Sequence, residues 1–364
     1  MWKATWILLV CLGLPACQRA QPAQRESPPV VTLGDGSAAR NSVRATQPPA
    51  DYLAGTHWPS ARLHEGAAWV SCVDAYATQG DGHPVASMDF LALVDLLSPC
   101  KDTGLVRLRY RGNIGPGFTA LVERVDAIAG RMAIRERILD IDSTGGQVEE
   151  ALQAGDAIAG SHWAIWVREG SICHSACVLV LASGDTRSIA GKVGIHRLMR
   201  QRSMATTRRE LNAELQDITA QVRDFLSRNG VAGALADQMM TIPNRDLRVL
   251  TPAELTQYGL SGSNAVQDDL DRITLMRQCG DDYVSRRDAF MRVFDSACMK
   301  PGQGAESMQS CGHELEQRFG FPDPHCSGQS PMNDYAQRLG RALPPFQGGR
   351  SRVEKATATT GASD

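Results

Sequence analysis

Arg137-Ile138-Leu139-Asp140-Ile141-Asp142-Ser143-Thr144-Gly145-Gly146-Gln147 reads as a strand, a paired-glycine turn and the first residue of a helix. The stretch 137–141 reads as a strand, and 147–159 as a helix. Paired glycines at such a junction let backbone N–H groups face a ligand without side-chain obstruction. The same alternation extends outward in both directions. Leu105 to Tyr110 alternates as a strand, and residues 117–129 repeat Leu121, Val125 and Ile128 at helical spacing. Ala164 to Val167 is a further strand, and Ala176 to Leu181 a short buried apolar segment. Strands alternating with helices argue for βαβ units and an α/β fold with a mostly parallel sheet.

Thr207 and Glu210 form a capping box before a long helix that Asn229-Gly230 ends. Its stripe of Leu211, Leu215, Ile218, Val222 and Phe225 suits packing on its own domain or a homo-oligomer contact. Thr251-Pro252-Ala253-Glu254 is a second capping box, and Gly259 closes that helix.

The chain has 364 residues, 43% hydrophobic and 21% charged, with a net charge of −2. This is globular composition, and the lack of basic excess speaks against nucleic acid as a partner. Met1 to Leu14 has one early positive charge and a short apolar run, as in a secretory signal. Leu14-Pro15-Ala16-Cys17 resembles a bacterial lipobox, with Pro15 departing from the pattern. The expectation is a signal peptide over 1–16 and lipidation of Cys17. Gln18, rather than Asp, points by that resemblance to an outer-membrane lipoprotein facing the periplasm. Cleavage after Ala23 is the alternative.

Of the ten cysteines, Cys11 would leave with the signal and Cys17 would carry lipid. Eight remain: Cys72, Cys100, Cys173, Cys177, Cys279, Cys298, Cys311 and Cys326. An even set in an exported chain reads as disulfides. Cys173 and Cys177 suit a bridge to each other, or one each to Cys72 or Cys100. With His174 and His196 they also offer soft ligands for zinc, against which an oxidising compartment argues. Metal and cofactor are therefore not expected. The last four cysteines allow three connectivities. They fall in a helical-looking module, 265–343, after a main domain, 63–264. Residues 17–62 read as a disordered tether and 344–364 as a mobile tail.

Three segments carry chemistry. Ser143-Thr144-Gly145-Gly146 offers N–H groups to an oxyanion. Gly170 to Cys177 presents Ser175 on a strand-to-helix corner. Val193-Gly194-Ile195-His196 sets a histidine at a strand end. Singly, each has a plainer reading: a common turn, a capping serine, a satisfied histidine. Together their order resembles the Clp-type peptidases of the crotonase-like superfamily, and a branch of exported Clp-like bacterial proteins in particular. The family's Ser-Pro-Gly-Gly segment is similar to 143–146, and its serine turn and apolar helix to 173–184. Its Ile-His element is similar to Ile195-His196. Its Asp, six residues before a Pro-Glu helix with Tyr-Gly-Leu, is similar to Asp246 before Pro252 and Tyr258-Gly259-Leu260.

The resemblance covers about 104–262 and implies repeated ββα units and a Ser175–His196–Asp246 triad. The N–H of Ala176 and one from Gly145 or Gly146 would form the oxyanion hole. It implies a serine peptidase acting on peptide or unfolded protein, with membrane contact through the lipid. An ATP-driven unfoldase does not suit the periplasm, so no ATPase partner is expected. Departures are Thr144 for proline and the cysteines framing the serine. Signal peptide peptidases share the superfamily but use a Ser–Lys pair, and only Lys192 lies near His196 in sequence. The competing expectation is a crotonase-like binding or scaffold lipoprotein without catalysis. An esterase or amidase is a third reading.

Overall fold

The computed structural model describes residues 55–300 and 304–341. The signal segment, Cys17, most of the proposed tether and the tail from 344 lie outside the described residues. Among the described residues no helix is long and apolar enough to cross a membrane.

The central sheet has seven strands, which in spatial order are 262–263, 186–189, 163–167, 136–142, 105–112, 66–71 and 83–84. Its middle is parallel: β3 (Leu105–Gly112), β4 (Glu136–Asp142), β5 (Trp163–Val167) and β7 (Thr186–Ile189). β1 (Gly66–Ser71), β2 (His83–Pro84) and β10 (Gly262–Ser263) add antiparallel edges. A separate three-stranded sheet joins β6 (Ile172–His174), β8 (Lys192–Ile195) and β9 (Arg248–Val249) in the order β6-β8-β9.

Before β3 lie three short helices: α1 (Tyr76–Gln79), α2 (Phe90–Leu97) and α3 (Cys100–Thr103). α4 (Pro116–Arg131), α5 (Val148–Ala159) and α6 (Cys177–Ala182) supply the helices between the parallel strands. Val106, Leu108 and Tyr110 of β3 share one core with Phe118, Leu121 and Val125 of α4. Ile158 and Val178 to Leu181 belong to the same core. Each such side chain, fully buried, contributes about 1.5–3 kcal/mol.

The other face of β3 departs from simple alternation. A half-buried sheet would turn Arg107 and Arg109 to water, yet they are 0% and 1% exposed. Residues from Val73 to Asp81 lie over them. Arg107 donates to the Val73 carbonyl at 3.1 Å and to that of Gly80 at 2.6 Å. Both guanidinium groups also meet buried Asp140, at 3.4 and 2.6 Å. Buried charges of this kind persist only when paired and hydrogen-bonded.

α7 (Arg208–Arg228) and α9 (Pro252–Gln257) both begin with the expected capping boxes, and α8 (Ala234–Thr241) lies between them. Ile218, Val222, Phe225 and Leu226 bury the C-terminal half of α7 in the main core. A Cβ on Gly155 of α5 would stand 2.5 Å from the Phe225 ring, so this crossing requires glycine. Arg187 ties the region together from β7. It is 2% exposed and donates to the carbonyls of Ala182, Gly184, Asn229 and Gly259. Burial pushes its pKa down to about 10, so it stays charged at neutral pH.

Residues 55–62, which composition assigned to the tether, are drawn onto the domain. Trp58 stacks edge-on against Phe90 at 5.3 Å, with the Arg124 guanidinium 5.1 Å from its ring centroid. An aromatic side chain with such partners overrides a polar, proline-rich neighbourhood.

Beyond 264 come α10 (Ala265–Cys279), α11 (Asp281–Ala297), α12 (Ala305–Arg318) and α13 (Pro331–Arg341). They have a second hydrophobic cluster, built on Tyr283, Phe290, Phe294 and Phe321. Its disulfides are Cys279–Cys326 and Cys298–Cys311. Before residue 264 the pairs are Cys72–Cys100 and Cys173–Cys177. Four disulfides are compatible with a periplasmic or extracellular location.

Candidate active site

The glycine turn, the serine corner and the histidine strand end meet at the small sheet. β4 ends at Asp142, and the chain then bridges to β6. The Ser143 N–H donates to the Ile172 carbonyl at 2.8 Å, and the His174 N–H to the Ser143 carbonyl at 3.0 Å. β6 pairs in parallel with β8, setting His174 opposite Gly194. The Ser175 N–H donates to the Gly194 carbonyl at 2.9 Å. Extending this ladder brings the Ser175-Ala176 corner beside Ile195-His196.

Ser175 has φ +58°, one of three non-glycine residues of positive φ among those described. A left-handed conformation costs an L-residue about 1–2 kcal/mol, and such outliers cluster at functional sites. The corner is held from two sides. The Cys173–Cys177 disulfide brackets Ser175, with its Cα atoms 5.2 Å apart. Cys173 lies within β6 and Cys177 begins α6, so the turn between them, not a helix, brings them together. That bridge removes both thiolates from any zinc set with His174 and His196. On the other side stands Gly145, at φ +102°. A Cβ there would lie 2.6 Å from Ser175 Cβ and 3.1 Å from the Ala176 nitrogen.

The three N–H groups expected to hold an oxyanion differ. That of Gly145 donates to Ser143 Oγ at 3.1 Å and is therefore engaged. Those of Gly146 and Ala176 make no hydrogen bond among the described residues. Gly146 is held in place because Ile114 takes the bonds around it. The Ile114 N–H donates to the Gly145 carbonyl at 2.8 Å, and Gln147 N–H to the Ile114 carbonyl at 2.9 Å.

His196 is half-buried, and its Nδ1 lies 3.0 Å from the Arg197 carbonyl. A carbonyl only accepts, so this bond sets the proton on Nδ1 and leaves the Nε2 lone pair available. Asp246, expected in that orienting role, is not brought onto His196. Its side chain is 56% exposed, and its cationic neighbour is Arg245 at 4.0 Å. The spacing to Pro252 is as expected, but Asp246 sits on a turn, its N–H donating to the Pro243 carbonyl at 2.9 Å. Among the described residues no hydrogen bond joins Ser175 Oγ to His196.

His174, weighed from the sequence only as a soft metal ligand, precedes Ser175 and ends β6. Its Nε2 is buried without a partner. Burial lowers its pKa, as does charge on His196 and Lys192, while Asp142 opposes them. A Cβ on Gly194 would stand 2.7 Å from the His174 ring. The signal available was Gly194 itself, a glycine inside a strand, which marks a close approach. Lys192 is exposed at the far end of β8.

No protein-family model and no curated protein matches this chain. Among solved structures it is similar to the 1510-N membrane-bound stomatin-specific protease. With a lysine-to-alanine mutant bound to a substrate peptide, identity is 18% over 42% of this chain and 71% of that chain, with a TM-score of 0.35. With a serine-to-alanine mutant, identity is 17% over 45% of this chain and 81% of that chain, again with a TM-score of 0.35.

Proposed function

We propose that this chain is an exported, ATP-independent serine hydrolase of the Clp-like kind, a peptidase acting on extended or unfolded peptide. One observation carries the reading: the left-handed Ser175, braced against Gly145 and flanked by the unbonded N–H groups of Gly146 and Ala176. A serine hydroxyl is protonated at neutral pH and needs a base. In this reading Ser175 Oγ attacks the peptide carbonyl as its proton passes to His196 Nε2. The carbonyl oxygen, now an anion, takes hydrogen bonds from Gly146 and Ala176. His196 then returns the proton to the leaving amine, and water releases the acyl group by the reverse sequence. Each oxyanion donor is worth on the order of 2.7–4 kcal/mol in other hydrolases. The Arg197 carbonyl, rather than Asp246, would orient His196.

The repeated ββα architecture belongs to the same proposal, as does a boundary at 264/265, which two separate hydrophobic clusters support. So do the lipid anchor on Cys17, the outer-membrane destination and the absence of an ATPase partner. Export is supported by the four disulfides.

A second reading, a binding or scaffold lipoprotein without catalysis, is favoured by the lack of a Ser175–His196 hydrogen bond. Catalytic bonds are often long in free enzymes and tighten on substrate, so the two readings divide on reactivity. Labelling the folded, oxidised chain with a fluorophosphonate beside Ser175→Ala tests them. Labelling that vanishes in the variant supports the hydrolase. Its absence in folded protein, with and without added peptide, supports the scaffold.

A further inference from the structure

α10 meets the rest of its module along one side. Leu275, Met276 and Cys279 pack against the second hydrophobic cluster, and Arg272 Nε donates to Asp288 of α11 at 2.9 Å. No residue of the helix is buried. The opposite side carries Val266, Leu270 and Ile273, which are 46%, 53% and 42% exposed. Their spacing of four and three sets them in one stripe. Arg277 continues the stripe four residues beyond Ile273, and Asp269 flanks it. Both are exposed, and among the described residues neither side chain has a partner.

Exposed apolar side chains scattered singly are ordinary, but three aligned on one helix face mark an interaction surface. Charge selects the occupant. A membrane surface calls for lysines and arginines beside the stripe. α10 instead has Asp268, Asp269 and Asp271 against Arg272 and Arg277, and Arg272 is already held by Asp288. The two unpartnered charges are also placed symmetrically. Asp269 and Arg277 each lie four residues from Ile273, so they stand about 6 Å to either side of it along the helix. A stripe with opposite charges at equal distances from its centre is complementary to itself turned end for end. The stripe of α7 does not compete for this role, because Ile218, Val222 and Phe225 are spent in the first core.

We propose that α10 is a self-association surface, and that its partner is α10 of a second copy of this chain, packed antiparallel about a two-fold axis at Ile273. There Ile273 meets the partner's Ile273, and Leu270 packs beside it. Asp269 pairs with the partner's Arg277, and Arg277 with the partner's Asp269. A two-fold interface repeats every contact in this way. Apolar burial supplies the strength of the association. The charge pairs set direction and register, since exposed ion pairs add little strength and much specificity. One helix of 15 residues offers less surface than a standard interface of ~1,600 Å², so the dimer is of the weak, concentration-dependent class. The contact is independent of turnover at Ser175.

The test is analytical ultracentrifugation of the full chain from low micromolar to submillimolar concentration. The wild-type chain is expected to pass from monomer to dimer across that range. Ile273→Asp sets two carboxylates face to face at the axis and is expected to raise the Kd at least about 100-fold. Leu270→Ser adds no charge and is expected to raise it at least about tenfold. Asp269→Arg and Arg277→Asp each oppose like charges, and each is expected to weaken the dimer about tenfold. The two together are expected to return it to within about threefold of the wild type. All four positions are exposed, and the thermal unfolding midpoint of each variant shows that it is folded. A chain that stays monomeric throughout overturns the proposal. So does a dimer indifferent to the apolar variants or to the single charge reversals, or a double reversal that restores nothing.

Discussion

Replacing Gly145 by alanine probes the contact on which the candidate site rests. The new Cβ would stand 2.6 Å from Ser175 Cβ, 2.7 Å from the His174 carbonyl oxygen and 3.1 Å from the Ala176 nitrogen. Carbon atoms pack at about 3.5–4.0 Å, so Ser175 and Gly145 must separate by roughly 1 Å. Overpacking of this kind costs about 1–3 kcal/mol. The φ of +102° adds about 1–2 kcal/mol for an L-residue. The sum is a loss of about 2–5 kcal/mol. Gly170→Ala is the control. Its φ is +78°, and nothing lies within 4 Å of the added Cβ, so it carries the backbone cost alone. Urea unfolding of both variants therefore isolates the contact. The rate of fluorophosphonate labelling reads its effect on chemistry, since a 1 Å misplacement costs about 10²-fold. Gly145→Ala as stable as Gly170→Ala, with labelling at the wild-type rate, would refute the reasoning.

His196→Ala is expected to abolish labelling while changing stability by under about 1 kcal/mol, because the ring is only half-buried. A large destabilisation would mark it as a core residue instead. Asp246→Asn is expected to slow labelling by under about tenfold, against ~10⁴ in kcat for an orienting aspartate elsewhere. A loss near that size would return Asp246 to the triad. Replacing Cys173 and Cys177 together by alanine should cost about 2 kcal/mol by the chain-entropy relation for so short a loop. Labelling should fall with it as Ser175 leaves its left-handed conformation, and unchanged labelling would show that the bridge does not brace the serine. His174 has a pKa lowered from its ordinary 6.5 in the folded chain. The unfolded state therefore binds the proton first, so the His174 contribution is intact above pH 6.5 and is lost as pH falls toward the folded value. Urea unfolding between neutral pH and pH 5 should show this slope, and His174→Gln should flatten it. An identical slope in that variant would assign it elsewhere.

Three of the four parallel strands, the helices after the first two and both capping boxes were legible in the chain, while β7 was not read from it. Periodicity and the cap residues at 207, 210, 251 and 254 act within a few neighbours, and so they survive without tertiary information. The Ser175 corner was legible for the same reason. Its left-handed backbone was not, nor was its contact with Gly145, which lies thirty residues away in sequence. Asp246 kept its spacing to Pro252, but spacing along a chain does not say which way a turn faces. The N–H of Gly145 was an equal candidate with that of Gly146 until Ser143 Oγ took it. Trp58 shows the opposite error, where composition spoke for a tether and one aromatic ring packed instead.

The sequence by itself determined most of the alternating strands and helices of the parallel sheet, their order and the residue types at the candidate site. Only the tertiary structure decided which cysteines pair, which N–H groups stay unbonded and which face of β3 meets water. The alternation of Arg107, Arg109 and Arg111 with Val106, Leu108 and Tyr110 describes a strand with one polar face, and nothing local says whether that face is solvated. Here residues 73–81 cover it. The cover removes water, and removing water turns surface arginines into an ion cluster. Burial is a property of what the rest of the chain brings near, and therefore of the whole fold.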